Sequence, residues 1–333
     1  MLELKLPVQA EQCIALLKRM PKRHPMMSTV EKDLKAWLKG YYGEQAGGYY
    51  LSFLPEDEYY IFHGLRLKDK NWFQMDVLLV TAKFILIIEV KNISGKLKFN
   101  KGSDLMTREL NDLEEGMDNP IQQVKRHHLQ FNNWLKGNQF KGIPVEHLVV
   151  ISKTSTIIET SPDNLQIFQK LIYAESLLDK IRELEEKYEK HRLTKNLAHL
   201  SDTLLNEHTI LITDILQKYN LSQGDLKPGA LCITCKKTME FISASWRCSD
   251  CQTISKTAHI SAISDYFLLY NQTITRKQLA EYLEITSTQA KYLLECLNLP
   301  STGTKRSTKY FLPKNCILSP HKENDMKKGE FFT

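Results

Sequence analysis

The chain has 333 residues, 42% of them hydrophobic and 25% charged, with a net charge of +6, which suits a globular protein of two or three domains and excludes a low-complexity chain. Its longest apolar runs, such as FILIIEV and HLVVIS, are far too short to cross a bilayer. The N-terminus, MLELKLPVQAEQC, has acidic residues where a signal peptide needs a basic stretch before an apolar one, so no membrane partner and a cytoplasmic location are expected. Residues 223–333 hold 15 Lys and Arg against 10 Asp and Glu, and the first 222 hold 30 against 29; a mildly basic C-terminal third is compatible with nucleic acid.

In chain order, LPVQAEQCIALLKRMPKRHP reads as a short helix and a basic turn. From Ser28, STVEKDLKAWLKGYYGEQAGGYYLSFL has helical apolar spacing, with Ser28 and Glu31 placed for a capping box and glycines loosening the middle. YYIFHGL, NWFQMDVLLV, KFILIIEVKN and a short KLKF are strand-like. NPIQQVKRHHLQFNNWLKG predicts a helix, with Asn119 as cap, Pro120 in the first turn and Gly137 near the stop. PVEHLVVIS is a further strand, and LQIFQKLIYAESLLDKIRELEEKYEK turns from strand-like to helical near Tyr173. This order indicates an α/β domain. LSQGDLKPGA, with two glycines and a proline, is the best linker.

Beyond it, Cys232, Cys235, Cys248 and Cys251 stand as C-x2-C-x12-C-x2-C. Two such knuckles bring four thiolates into the closed tetrahedron of structural Zn²⁺, which leaves no open position for catalysis. A redox pair would need a thioredoxin-like context that neither CxxC has. The intervening TMEFISASWRC suits a small β-hairpin, and metal binding would supply the folding energy of a module too small for its own core. Cys13, Cys296 and Cys316 read as ordinary thiols. AHISAISDYFLLY, ITRKQLAEYLEI and TSTQAKYLLECLNL are helical, and TKRSTKYFLP offers a basic turn and a short strand. That is the order of a winged helix, with Gln289 and Lys291 on the recognition helix and Lys305, Arg306 and Lys309 reaching phosphates from the wing. A helical bundle used for dimerisation or packing would show the same apolar pattern.

The strand end FILIIEVKN poses the chemical question. Alternation puts Glu89 and Lys91 on one face, and Gln74 and Asp76 on one face of the preceding strand. A hairpin closed by a two-residue loop at Thr81 and Ala82 would make Asp76 and Glu89 diagonal neighbours, roughly 7–8 Å apart at the backbone. Two carboxylates beside a lysine can hold Mg²⁺, which takes its remaining ligands from water and substrate phosphate, and the ion can acidify water and offset phosphate charge. Alone, Asp-x12-Glu-x-Lys is weak, since a charged strand end is ordinarily where a sheet meets water.

The context is more specific. GYYGE at 40–44, FQMD at 73–76, IIEVKN at 87–92 followed by Gly95, and NPIQQVKRH at 119–127 together resemble the NERD (nuclease-related) domain, a branch of the PD-(D/E)XK nuclease superfamily, over about residues 30–180. The N-terminal segment and the cysteine region also look like longer NERD-domain proteins. The resemblance implies Asp76 and Glu89 as ligands of Mg²⁺ (or Mn²⁺), Lys91 as the catalytic lysine, Glu44 as a further acid at the metal site, and Gln123 as the family's helix glutamine. His127, one turn beyond Gln123, would touch substrate phosphate, while His128 would face elsewhere. Glu44 on a solvated helix face, Gln123 merely bonding the hairpin and Asn92 as a turn residue are the blander readings.

The expected fold is α/β, a PD-(D/E)XK nuclease-like mixed sheet flanked by helices, plus a small four-cysteine zinc ribbon and a C-terminal winged-helix-like helical domain. The expected boundaries are an N-terminal extension (1–29), the nuclease-like domain with a helical extension (30–222), the zinc ribbon (223–258), the winged-helix-like domain (259–320) and a disordered tail (321–333). The expected activity is Mg²⁺-dependent endonucleolytic hydrolysis of DNA, in processing, repair or defence; the alternative is a non-catalytic DNA-binding or adaptor protein that retains the fold. A homodimer would bring two such sites to two strands, although the sequence shows no interface.

Overall fold

A computed structural model describes residues 1–192 and 197–313. They form two compact units, one of residues 1–6 and 38–209, the other of residues 7–37 and 210 onward. The chain opens with helices α1 (Val8–Arg19) and α2 (Met27–Leu51), followed by strands β1 (Tyr60–Lys68), β2 (Trp72–Val80), β3 (Ile85–Lys91), β4 (Lys96–Phe99), β5 (Leu105–Leu110) and β6 (Leu113–Asp118). Helix α3 (Pro120–Gly137), β7 (Val145–Ile151), β8 (Ile157–Thr160), β9 (Leu171–Tyr173), α4 (Leu177–Lys187) and α5 (Leu197–Glu207) complete the first unit.

Its main sheet has the order β1-β2-β3-β7-β9. The first three strands pair antiparallel, and β7 and β9 join in parallel. Strand β3 has neighbours on both sides and helices over both faces, so Ile85 to Val90 are all buried; a strand covered twice has no need to alternate. Ile85 and Ile87 pack with Val124, Phe131 and Trp134 of α3, and Leu86 and Ile88 pack with Leu51 of α2 and Ile181 of α4. Helix α3 begins as predicted, with the Asn119 side chain accepting the Ile121 N–H and Pro120 at the first position. Helix α2 starts at Met27, which puts Ser28 inside the first turn instead of at the cap. Its glycines leave it unbroken.

A second sheet, β6-β5-β4-β8, was foreshadowed only by KLKF. Strand β6 is mostly exposed and β5 fully buries only Met106, so no apolar period marks them. Cross-strand ion pairs support them instead, Lys98 with Glu109 at 2.8 Å and Arg108 with Glu115 at 2.7 Å. The turn between them places Asn111 and Asp112 at positive φ, the geometry that Asn and Asp tolerate in tight hairpins.

The second unit holds α1 and the start of α2, up to Trp37, together with α6 (Ile215–Lys218), β10 (Glu240–Ile242), β11 (Ser245–Arg247), β12 (Ile254–Ser255), α7 (Ala258–Leu269), β13 (Thr273–Thr275), α8 (Arg276–Leu283), α9 (Ser287–Leu297), β14 (Ser301–Thr302) and β15 (Lys309–Phe311). Strands β10, β11 and β12 form one antiparallel sheet and β13-β15-β14 another. Three boundaries differ from expectation. The N-terminal segment is no free extension: Cys13, Leu16 and Met20 share a core with Ile215, Tyr219 and Leu268. The stretch at 221–230 is pinned, with Lys227 N–H donating to the Arg19 carbonyl at 3.0 Å and Gly229 N–H to that of Tyr282 at 2.7 Å. The cysteine segment shares one core with the helices after it, Trp246 and Met239 packing with Ile260, Leu279 and Leu294. Cys316 and the 321–333 tail lie outside the described residues.

In the first unit, Glu146 accepts from Lys170 at 2.8 Å, Lys187 at 2.6 Å and the Tyr188 hydroxyl at 2.8 Å. Burial pushes its carboxyl up, but these donors outweigh it and bring it from 4.5 to about 2. A depressed carboxyl contributes stability that is complete above its unfolded value and lost as pH falls toward the folded one. In urea titrations Glu146→Gln is therefore expected to be less stable than wild type at neutral pH, with the gap closing between pH 4.5 and about 2; a gap independent of pH would contradict it.

Candidate functional site

Strands β2 and β3 pair Val80 with Ile85 through Val77 with Ile88. The two-residue turn is Ala82–Lys83, one position later than expected, because Thr81 organises it: its hydroxyl oxygen accepts from the Lys83 and Phe84 N–H groups at 3.0 Å. Parity is unchanged by a two-step shift of register, so Asp76 and Glu89 still share a face, now as directly opposed positions. Beyond that point the strands part. The Val90 N–H, which would continue the ladder, donates instead to Asp76 Oδ2 at 2.8 Å.

A glycine sets this fork. Opposite Asp76, Gly64 has φ of +59°, a conformation that costs other residues strain. Across it the buried side of β1 changes from Phe62 to Leu65 and Leu67, and that of β2 from Leu78 to Met75 and Phe73, all in one core. The break in alternation turns Gln74 away from Asp76, contrary to the expectation that they share a face.

Glu89 is 2% exposed. A lone carboxylate at that depth would cost several kcal/mol. Lys91 Nζ donates to its Oε1 at 2.7 Å and to Gln123 Oε1 at 3.0 Å. His127 Nδ1 lies 3.4 Å from Glu89 Oε2 without hydrogen-bond alignment, which leaves that oxygen and that nitrogen buried and unmatched. Gln123 and His127 sit one turn apart on α3, and His128 turns elsewhere, toward the Val145 carbonyl at 3.0 Å.

Glu44 arrives on α2. A Cβ on Gly43 would stand 2.5 Å from Asn92 Cβ, so only glycine lets the helix lie this close to the end of β3, where Asn92 Nδ2 ties down the Lys39 carbonyl at 2.9 Å. Asn92 is thus more than the turn residue that its sequence position suggests. Neither Gly43 nor Gly64 stands out in the sequence as a positioning residue, although the signal for Gly43 lies inside GYYGE.

The electrostatics follow from this crowding. Burial first, then the charges of Glu89 and Glu44, push the Asp76 carboxyl well above its usual range against Lys91 and the Val90 N–H. Burial and Glu89 push Glu44 up to about 7 against Lys91. Burial also pushes Glu89 upward, but His127 and Lys91 hold it below its ordinary value. Mutually repelling carboxyls with an unmatched buried oxygen are a donor set that a hard divalent cation satisfies, taking two carboxylates here and other oxygens from water or phosphate.

The four cysteines are the one group of three or more His, Cys, Asp or Glu side chains, among the described residues, already drawn together for an ion, their sulfurs all within 4.8 Å. Cys232–Cys251 is 3.5 Å, Cys235–Cys248 3.4 Å and Cys235–Cys251 3.6 Å; a tetrahedral thiolate site requires about 3.8 Å, and a disulfide about 2.0 Å. Both knuckles have the same backbone. Cys232 N–H donates to the Lys237 carbonyl at 2.8 Å and Cys248 N–H to that of Thr253 at 2.9 Å, and the residues after the second cysteines, Lys236 and Gln252, have φ of 60° and 59°. Against the upward push of burial, the N–H groups of Cys235 and Thr234 bring the Cys232 thiol down to about 6, while against the Lys237 N–H the neighbouring sulfurs push Cys235 up to about 12, so thiols this close do not all ionise unless a cation joins them.

On α9, Gln289 spends its side-chain oxygen on the cap, accepting from Thr286 N–H at 2.9 Å and Thr286 Oγ1 at 3.0 Å. Lys291 is exposed and faces Glu295 at 3.5 Å. Lys305 and Lys309 are exposed; Arg306 contributes its backbone to the 305–307 turn, and its side chain lies outside what is described.

Residues 39–152 match the family model of the nuclease-related domain, NERD. That span holds Glu44, Asp76, Glu89, Lys91, Gln123 and His127. No curated protein and no solved structure gives a significant match. No helix among the described residues is long and apolar enough to cross a membrane.

A cysteine cluster that holds a structural metal predicts about one ion per chain and its loss in Cys248→Ala, with Trp246, now buried, becoming exposed and its emission shifting to the red. Metal analysis and fluorescence check this; a metal-free wild type with buried Trp246 would contradict it.

Proposed function

We propose that this chain, whose residues 39–152 carry a nuclease-related domain, is a divalent-metal-dependent nuclease that hydrolyses DNA phosphodiester bonds. The observation that supports it best is Lys91 held between Glu89 and Gln123 while Asp76, opposite Glu89, and Glu44 converge on the same strand fork. A purely structural strand end has no use for three crowded carboxyls, two of them driven upward by burial and by their acidic neighbours.

Asp76 and Glu89 would hold Mg²⁺ or Mn²⁺, with Glu44 beside them. When bound, the ion supplies Lewis acidity and offsets charge at the scissile phosphate. Lys91 presents its ammonium to a phosphate oxygen, where charge grows during attack. Gln123 fixes that ammonium by accepting a hydrogen bond from it and, as a neutral amide, does so at any working pH. His127 stands at the rim of Glu89 and can donate to a neighbouring phosphate. The four cysteines would carry Zn²⁺ as a structural ion, with no ligand position left for chemistry. The second unit would bring the enzyme to DNA through Lys291, Lys305 and Lys309, with Arg306 in the same turn, as a winged helix does.

Linear, nicked and branched DNA incubated with the full-length protein and Mg²⁺ tests the reading. Cleavage is expected, with Lys91→Ala slower by about 10²–10³, the usual loss for one electrostatic donor, and Asp76→Ala without detectable activity. No cleavage by wild type, or cleavage that survives Asp76→Ala, would overturn it.

A further inference from the structure

The hairpin that delivers Asp76 runs on past it. Beyond the Gly64 fork its outer face pairs Arg66 with Gln74 and Lys68 with Trp72 across the two strands. Trp72 is 45% exposed, although an indole gains by burial. The Arg66 guanidinium carbon lies 4.0 Å from the centre of the Trp72 ring and Lys68 Nζ 5.6 Å from it. Lys68 and Lys70 are exposed.

Pairing separates this face from the charged sheet of the same unit. There, Lys96, Lys98 and Arg108 each meet a glutamate, a surface already neutralised. Among the described residues, none of Arg66, Lys68 and Lys70 has a carboxylate within ion-pair distance. The acid of the turn, Asp69, accepts from Asn133 Nδ2 at 3.4 Å instead. A half-exposed ring with a guanidinium against it and unmatched cations around it is short of an aromatic partner and of anions. A strand of unpaired nucleotides supplies both, bases that stack and phosphates between them. A duplex supplies only the phosphates here, because its bases are stacked on one another.

We infer that the distal half of the β1–β2 hairpin is a binding platform for single-stranded nucleic acid: a base stacks on Trp72 while Arg66, Lys68 and Lys70 take the flanking phosphates. Trp72 lies four residues from Asp76 along β2, about 13 Å of extended chain, but on the face that carries Gln74 and is turned from Asp76, so a strand held here reaches the fork only by crossing the edge of the hairpin. The inference rests on the nuclease reading only for that destination; the binding itself does not need turnover.

The experiment uses full-length protein carrying Asp76→Ala, so that substrate is not consumed. Fluorescence anisotropy follows a short labelled oligothymidine and, separately, a duplex of equal length. Trp72→Ala is expected to weaken oligothymidine binding about tenfold or more, within the range for losing one stacked base, and duplex binding less than about twofold. Trp72→Phe should recover most of the loss. Lys68→Gln with Lys70→Gln should lower the salt slope by about 1.4, two single-strand phosphate contacts. Oligothymidine binding indifferent to Trp72, or single strand and duplex weakened equally, would overturn the platform, and a melting temperature close to that of the parent excludes misfolding as the cause. A chain that binds through Trp72 but never cuts refutes only the nuclease reading, and one that cuts but ignores Trp72 refutes only the platform.

Discussion

A carboxylate buried at the end of a strand covered on both faces is the constraint around which the first unit is arranged. Glu89, 2% exposed, cannot hold its charge there without compensation. Lys91 provides it directly, and Gln123 fixes Lys91 from α3. The helix is placed by its Asn119 cap; on the other side, Gly43 lets α2 approach and bring Glu44 near. Gly64 then bends the hairpin so that Asp76 meets the strand end instead of continuing the ladder. Each of these features is local, and their common effect is a concentration of negative charge that a cation would relieve.

Much of this was legible because alternation along strands is a strict rule. The same-face placement of Asp76 and Glu89 needed only an even loop, and it survived an error of one residue in where the loop lies. Gln74 was misplaced for the complementary reason: one left-handed glycine resets the phase, and the letters FHGL do not say which φ the glycine adopts. Strands β5 and β6 were invisible because cross-strand charge pairs stabilise them, and such pairs carry no apolar period.

The second unit shows where local pattern stops being informative. Arg19, fully buried, donates to Asp265 at 2.7 Å and to the carbonyls of Lys227 and Gly229 at 2.8 and 3.1 Å. Partners more than two hundred residues apart tie the N-terminal helix to the segment read as a linker, and no window of sequence contains both. The C-x2-C spacing was readable because a tetrahedral site fixes it, but the shared core between the cysteine segment and the helices was not, since Trp246 finds His259, its Nε1 3.2 Å from His259 Nδ1, across a boundary drawn on composition. Gln289 followed the same logic in reverse: its position on the helix was right, and the Thr286 cap claimed its side chain first.

The central claim is that Asp76 and Glu89 share a cation. Titration calorimetry with Mn²⁺ on the full-length protein, first saturated with Zn²⁺ so that the cysteine cluster is filled, measures this without reference to any substrate. One additional site is expected, absent in Glu89→Ala and in Asp76→Ala while the cysteine-bound metal is retained. Heat of binding that persists undiminished in both variants, or no site in the wild type, would contradict it.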